Sequence, residues 1–249
     1  MRHNQSSRVN VTFPRIQVFF PPMTAVPSVH APRVALLGIL MLSVCVLGCS
    51  VPAAASAPLT YVAIGASDSV GVGAAEPSAE GWVPRLGLLL GRETRVVNLG
   101  VSGSTLAQAI LEQLGPALDA RPDVVSVWLA VNDLNARVPL PQYEADLDRL
   151  LGEMRGDGRC ILVGNVPDLT RAPVYARQDP SALRATIQAW NAVIARVALR
   201  HGATLVDLDA RWQEITDHPE YLSADGFHPS SEGYARLATL FQEDYRRGC

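Results

Sequence analysis

The chain has 249 residues, 48% of them hydrophobic, enough to bury a sizeable core in one large domain or two small ones. All 24 acids lie within residues 59–249, opposed there by 17 arginines, so that part carries a formal charge of −7. An acidic body with no basic stripe argues against nucleic acid as a partner.

The first 58 residues have a different character, with four arginines (Arg2, Arg8, Arg15, Arg33) and no acid. Arg33 precedes an uncharged apolar run from Val34 to Leu47, about the length of a signal-peptide core and short of the roughly 20 residues a membrane span needs. The run ends in Val46-Leu47-Gly48-Cys49, which resembles the lipobox of bacterial lipoproteins and makes Cys49 the candidate for lipidation. An uncleaved N-terminal anchor helix is the alternative. Both readings put the body outside the cytoplasm, beside a membrane. Residues 1–22 are unusual for a leader, and Met23 is an alternative start. Residues 1–49 are therefore expected to be leader and 50–58 (SVPAAASAP in 50–58) a tether. Residues 59–249 are expected to form one domain.

Within that domain short apolar runs alternate with longer helical patterns. Strands are predicted at Tyr61–Ile64, Arg95–Asn98, Val124–Val131, Cys160–Val163 and Thr204–Asp207. Helices are predicted at Trp82–Leu90, Thr105–Leu118, Pro141–Met154, Ser181–Arg200 and Ser230–Tyr245. In the fourth of these, Leu183, Ile187, Trp190, Ile194 and Val197 recur at steps of three and four and mark one buried face. Ser104 and Ser230 are the cap candidates, and Pro141 suits a first turn. This alternation predicts right-handed crossovers and a three-layer α/β/α sandwich around a mostly parallel, flavodoxin-like sheet. Cys160 and Cys249 are the cysteines outside the leader. Export permits a disulfide between them, but the place of Cys160 at the start of a buried strand suits a free thiol at least as well.

In open parallel sheets, sites gather at the C-terminal ends of strands. The polar residues of this chain fall there. Ser67 follows the first strand in Gly65-Ala66-Ser67-Asp68-Ser69. Asn98-Leu99-Gly100-Val101-Ser102-Gly103 follows the second, and Asn132-Asp133 the third. Asp225-Gly226-Phe227-His228 precedes the last helix, and an acid three residues before a histidine lies one helical turn away, able to hold Nδ1–H.

These blocks, in this order and spacing, resemble the SGNH (GDSL-type) hydrolases over nearly all of residues 59–249. The resemblance implies a serine ester hydrolase with Ser67 as nucleophile, His228 as base and Asp225 as its orienting acid. It also implies an oxyanion hole made by the backbone N–H groups of Ser67 and Gly103 and the Asn132 side chain. No cofactor and no metal are implied. The implied substrates are small-molecule, lipid or glycan esters: lysophospholipids, short acyl esters or acetylated sugars. Two positions depart from the family pattern. Ala66 stands where an Asp usually precedes the serine, and Ala130 where a Gly usually lies two residues before the asparagine.

Each residue also has an ordinary reading: Ser67 as a turn or cap serine, Gly103 as a turn glycine, Asn132-Asp133 as a helix cap, His228 as a structural histidine. Only their joint order lifts them. A Gly-x-Ser-x-Gly elbow and a dinucleotide loop are both absent, and the histidines lack metal-ligand spacing. The competing functions are an anchored binding protein on the same scaffold, motivated by Ala66 and Ala130, and an envelope O-acyltransferase using the same residues. Trp82 and Tyr175 are candidates to border the pocket. Oligomeric state and acyl length are not specified by any residue pattern.

Overall fold

The computed structural model describes residues 58–249. The leader, the alternative start, Cys49 and all of the tether before residue 58 lie outside the described residues. Among the described residues five strands form one sheet: β1 (Thr60–Gly65), β2 (Arg95–Asn98), β3 (Val124–Trp128), β4 (Cys160–Gly164) and β5 (Thr204–Val206), in the order β2-β1-β3-β4-β5. Every pairing is parallel, so all five C-terminal ends open on one side. The helices that connect them are α1 (Ser67–Val70), α2 (Pro77–Glu80), α3 (Trp82–Leu90), α4 (Leu106–Glu112), α5 (Leu114–Asp119), α6 (Ala130–Asn135), α7 (Leu140–Met154), α8 (Pro180–His201), α9 (Leu208–Thr216) and α10 (Ser231–Gly248). The expected three-layer α/β/α class is what forms.

Strand alternation sends successive side chains to opposite faces. Val62, Ile64, Val125, Val127, Ile161 and Val163 pack under α4, α5, α7 and α8. Tyr61, Ala63, Val124, Trp128, Leu162 and Val206 pack under α3 and α10. On that second face Trp82 lies 4.4 Å from Phe241 between ring centroids and 6.2 Å from Trp128, edge-on. Trp82 is thus a core residue with no exposed surface, not a pocket border.

Three expected boundaries shift for identifiable reasons. The apolar run from Val124 does not stay extended to Val131. The strand ends at Trp128, Leu129 turns the backbone (ψ −28°), and Ala130 already begins α6. A continuous apolar run reads the same in a buried strand and a buried helix. The helix expected over Thr105–Leu118 is interrupted at Gln113, because Pro116 has no N–H to give to the Glu112 carbonyl. Its cap is Thr105, paired with Gln108 in a reciprocal box, and not Ser104, which is buried in the preceding loop. Ser230 does cap α10, accepting from Gly233 N at 3.2 Å.

Of the two states left open for Cys160, free thiol and disulfide, the second is present. Cys160 and Cys249 are joined in a disulfide with Cα atoms 5.7 Å apart. The last turn of α10 returns to the N-terminal ends of the strands and brings Cys249 beside the first residue of β4.

Candidate active site

The site is built where β1 stops. Gly65 ends the strand, and a Cβ there would collide with the Ser69 hydroxyl, so only glycine permits the tight turn into α1. That turn presents Ser67 as the first helical residue, 8% exposed, at the C-terminal edge of the sheet. Asn98 secures the turn from the end of β2. Its amide donates to the Ser69 carbonyl at 2.5 Å, and its Oδ1 accepts from Gly100 N at 3.1 Å.

The acid and the base come from the loop before α10. The i, i+3 reach is made here by a closed turn and not by a helix. Ser223 N donates to the His228 carbonyl at 2.9 Å and Gly226 N to the Ser223 carbonyl at 3.0 Å, with Gly226 left-handed at φ +69°. Inside this turn Asp225 Oδ1 accepts from Ser223 Oγ (2.8 Å), Phe227 N (2.8 Å) and His228 N (2.9 Å). Its other oxygen, Oδ2, lies 2.6 Å from His228 Nδ1, and His228 Nε2 lies 2.9 Å from Ser67 Oγ. Partial desolvation acts to raise the Asp225 pKa. The bonds from His228, the two backbone N–H groups and Ser223 outweigh it and hold the carboxyl well below the usual range. The carboxylate is therefore ionised wherever His228 can act as a base.

The expected oxyanion donors beyond Ser67 belong to the loop after β2 and the first turn of α6. Gly103 is left-handed at φ +82°, and a Cβ placed there would meet no atom within 4 Å. Asn132, in the first turn of α6, donates from Nδ2 to the Ser104 carbonyl at 3.0 Å. That bond uses one of its two amide hydrogens and leaves the other. Among the described residues the N–H groups of Ser67 and Gly103 make no hydrogen bond. Asp133, 1% exposed, accepts from Leu106 N at 2.9 Å and thereby ties α6 to the start of α4. Burial pushes its pKa up to about 6.

Two residues carry roles that the motif reading did not assign. Asp68 follows Ser67 and lines a pair of small cavities, about 10 and 20 Å³, that share Asp68, Trp128, Val131 and Phe227. Burial raises its pKa to about 6, against the opposing pull of the His228 charge. Gln113 is 1% exposed and bonds both backbone groups of Gly65. A glutamine inside a helical pattern gives no sequence signal of this. Tyr175 backs the wall formed by Phe227, at 6.1 Å between rings, and donates to Asn135 Oδ1 at 2.8 Å. Ala66 and Ala130 are both buried, and neither substitution breaks the Ser67–His228–Asp225 chain.

A hydroxyl bonded to an imidazole, with the imidazole bonded to an ionised acid, is the reacting arrangement a serine ester hydrolase needs. Residues 63–236 match the GDSL-like lipase/acylhydrolase family, and the chain belongs to it. An acetylxylan esterase of Geobacillus stearothermophilus is 30% identical over 173 residues, which are 64% of this chain and 72% of that enzyme. The crystal structure of TesA superposes with a TM-score of 0.61 at 26% identity, covering 76% of this chain and 99% of that one. A W215I variant of Axe2, an acetylxylan esterase from Geobacillus stearothermophilus, gives 0.58 at 28% identity, covering 75% and 94%. A catalytic mutant of Axe2 with a serine changed to alanine gives 0.60 at 25% identity, covering 75% and 93%.

Proposed function

We propose that the protein cleaves short-acyl esters of a sugar or similar alcohol through an acyl-enzyme on Ser67, in an exported location. The observation that carries the reaction is the unbroken chain from Ser67 Oγ through His228 to Asp225. Ser67 Oγ attacks the ester carbonyl carbon while His228 Nε2 takes its proton. The carbonyl oxygen becomes an oxyanion held by the N–H groups of Ser67 and Gly103 and by the second Asn132 amide hydrogen. Asp225 keeps Nδ1 protonated and stabilises the imidazolium. The intermediate collapses, His228 returns the proton to the leaving alcohol, and a water repeats the sequence on the acyl-serine to release the acid. The serine-to-alanine catalytic mutant of Axe2 supports the role given to Ser67.

Two observations favour a short acyl group. The cavities lined by Asp68, one of them also by Asn132, have room for about one water-sized or methyl-sized group each. Acetylxylan esterases recur among the relatives. The Cys160–Cys249 disulfide supports export to an oxidising compartment, in line with the apolar run over 34–47, and Cys49 is the proposed lipid attachment. Labelling with a palmitate analogue in the native host, compared with Cys49→Ala, tests the anchor; an unlabelled wild type rejects it.

The reaction is tested with p-nitrophenyl esters of graded acyl length, comparing the wild type with Ser67→Ala and His228→Ala. Turnover should be highest with acetate, and each variant should lose a factor of about 10⁴–10⁶ in kcat. A wild type inert to every ester and to a fluorophosphonate would reject the reading. Faster loss of ester with an added sugar, with acylated sugar as product, would make the physiological acceptor an alcohol in place of water.

A further inference from the structure

Gly65 is the last residue of β1, and its peptide groups face the side on which β2 lies. Two residues earlier that side is filled by the sheet, with Leu99 N donating to the Ala63 carbonyl at 2.9 Å. By Gly65 the chain of β2 has turned away. Val101 N still reaches the Gly65 carbonyl at 3.2 Å, but among the described residues no backbone group takes up the Gly65 N–H. Gln113 completes the ladder. Its Oε1 accepts from Gly65 N at 3.0 Å, and its Nε2 donates to Gly65 O at 3.0 Å, so the side-chain amide stands in for a strand peptide. The same Nε2 lies 3.4 Å from Ser104 Oγ. The Ser104 carbonyl in turn holds Asn132 at 3.0 Å. One buried amide therefore connects the strand end that presents Ser67 with the loop that carries Gly103 and, through Ser104, with Asn132.

We infer that Gln113 is a positioning residue for the reaction: it sets the spacing between the Ser67 segment and the loop that supplies the oxyanion donors. It touches neither substrate nor reacting atoms. A backbone group that is buried and unpaired is costly, so removing the amide forces Gly65 or the 100–105 loop to move. A displacement of about 1 Å in such a site is worth up to roughly a hundredfold in rate. The inference rests on the acyl-serine reading proposed above.

The test compares the full-length chain with Gln113→Met and Gln113→Asn. The first has no amide, and the second is too short to reach both Gly65 groups. Two quantities are read: kcat and KM for p-nitrophenyl acetate, and the Ki of an alkylboronic acid, whose tetrahedral serine adduct places an oxygen among the oxyanion donors. The expected result is a fall in kcat of about ten- to a hundredfold, KM within about twofold, and a boronate Ki weakened by a similar factor. A residue that only stabilises the fold would lower the melting temperature and leave kcat and Ki per folded molecule unchanged. That outcome in either variant overturns the inference, as does failure of both to fold. A wild type inert to ester and boronate alike would instead reject the reaction assigned to the site.

Discussion

The Asn132 amide donates to the Ser104 carbonyl at 3.0 Å, and this bond fixes the direction in which the rest of the amide points. The Asn132 side chain on α6 and the loop after β2 are locked together, with one amide N–H held and one left. Asn132→Ala should lower kcat by about 10²–10³, as expected for loss of one oxyanion donor, with KM changed little. Steady-state kinetics on p-nitrophenyl acetate measure it. A KM effect with unchanged kcat would move Asn132 from the transition state to ground-state binding.

Gly103 stands on its backbone conformation and not on crowding. Its φ of +82° disfavours any L side chain, while an added Cβ would meet nothing within 4 Å. Gly103→Ala should therefore fold, at a cost of about 1–2 kcal/mol, and put a methyl group next to the proposed donor N–H. The measurable signature is a modest drop in melting temperature with a much larger drop in kcat. Equal and small losses in both would place Gly103 away from the reacting carbonyl.

Asp68 gives a pH-dependent prediction. Its pKa rises on folding from 3.8 to about 6, chiefly through burial, so the folded state favours the neutral acid. Below the unfolded pKa both states are protonated and no penalty exists. As pH rises from about 4 through 6 the folded protein loses stability relative to a neutral replacement. Asp68→Asn should match the wild type in melting temperature at pH 4 and exceed it above pH 6, by an amount of order 1–2 kcal/mol after allowance for partial exposure. Its kcat should fall a few-fold, because the Asp68 carboxylate also favours a positive His228. Thermal melts from pH 4 to 8 with parallel rates decide this. A variant less stable than the wild type at pH 7.5 would contradict it.

The disulfide should separate stability from activity. Cys160 and Cys249 are 89 residues apart in sequence, and a loop of that size contributes about 4.6 kcal/mol on a chain-entropy basis. The bridge lies at the N-terminal ends of the strands, the far side of the sheet from Ser67. Cys160→Ser with Cys249→Ser, or reduction, should lower the melting temperature substantially while kcat at 25 °C stays within about twofold. A matching loss of kcat would show that α10 transmits strain to the His228 loop at its other end.

The sequence by itself determined the kind of fold and put forward Ser67, Asp225 and His228 as the candidate reacting groups. Apolar runs alternating with helical periodicity require a sheet covered on both faces, because only that arrangement buries residues such as Val124 through Val127 on both sides. Ser67, Asp225 and His228 were legible because each sits in a short block just after a strand or before a helix, and acyl transfer demands those residue types. Tertiary structure decided what depends on contacts between distant segments. Whether the run through Val131 stays extended turned on packing that periodicity does not encode. Whether Cys160 is a thiol or half of a disulfide turned on where α10 ends. Gln113 and Asp68 look like ordinary polar residues in one dimension. Their roles come from burial beside Gly65 in one case and beside His228 in the other, and burial is a property of the folded chain.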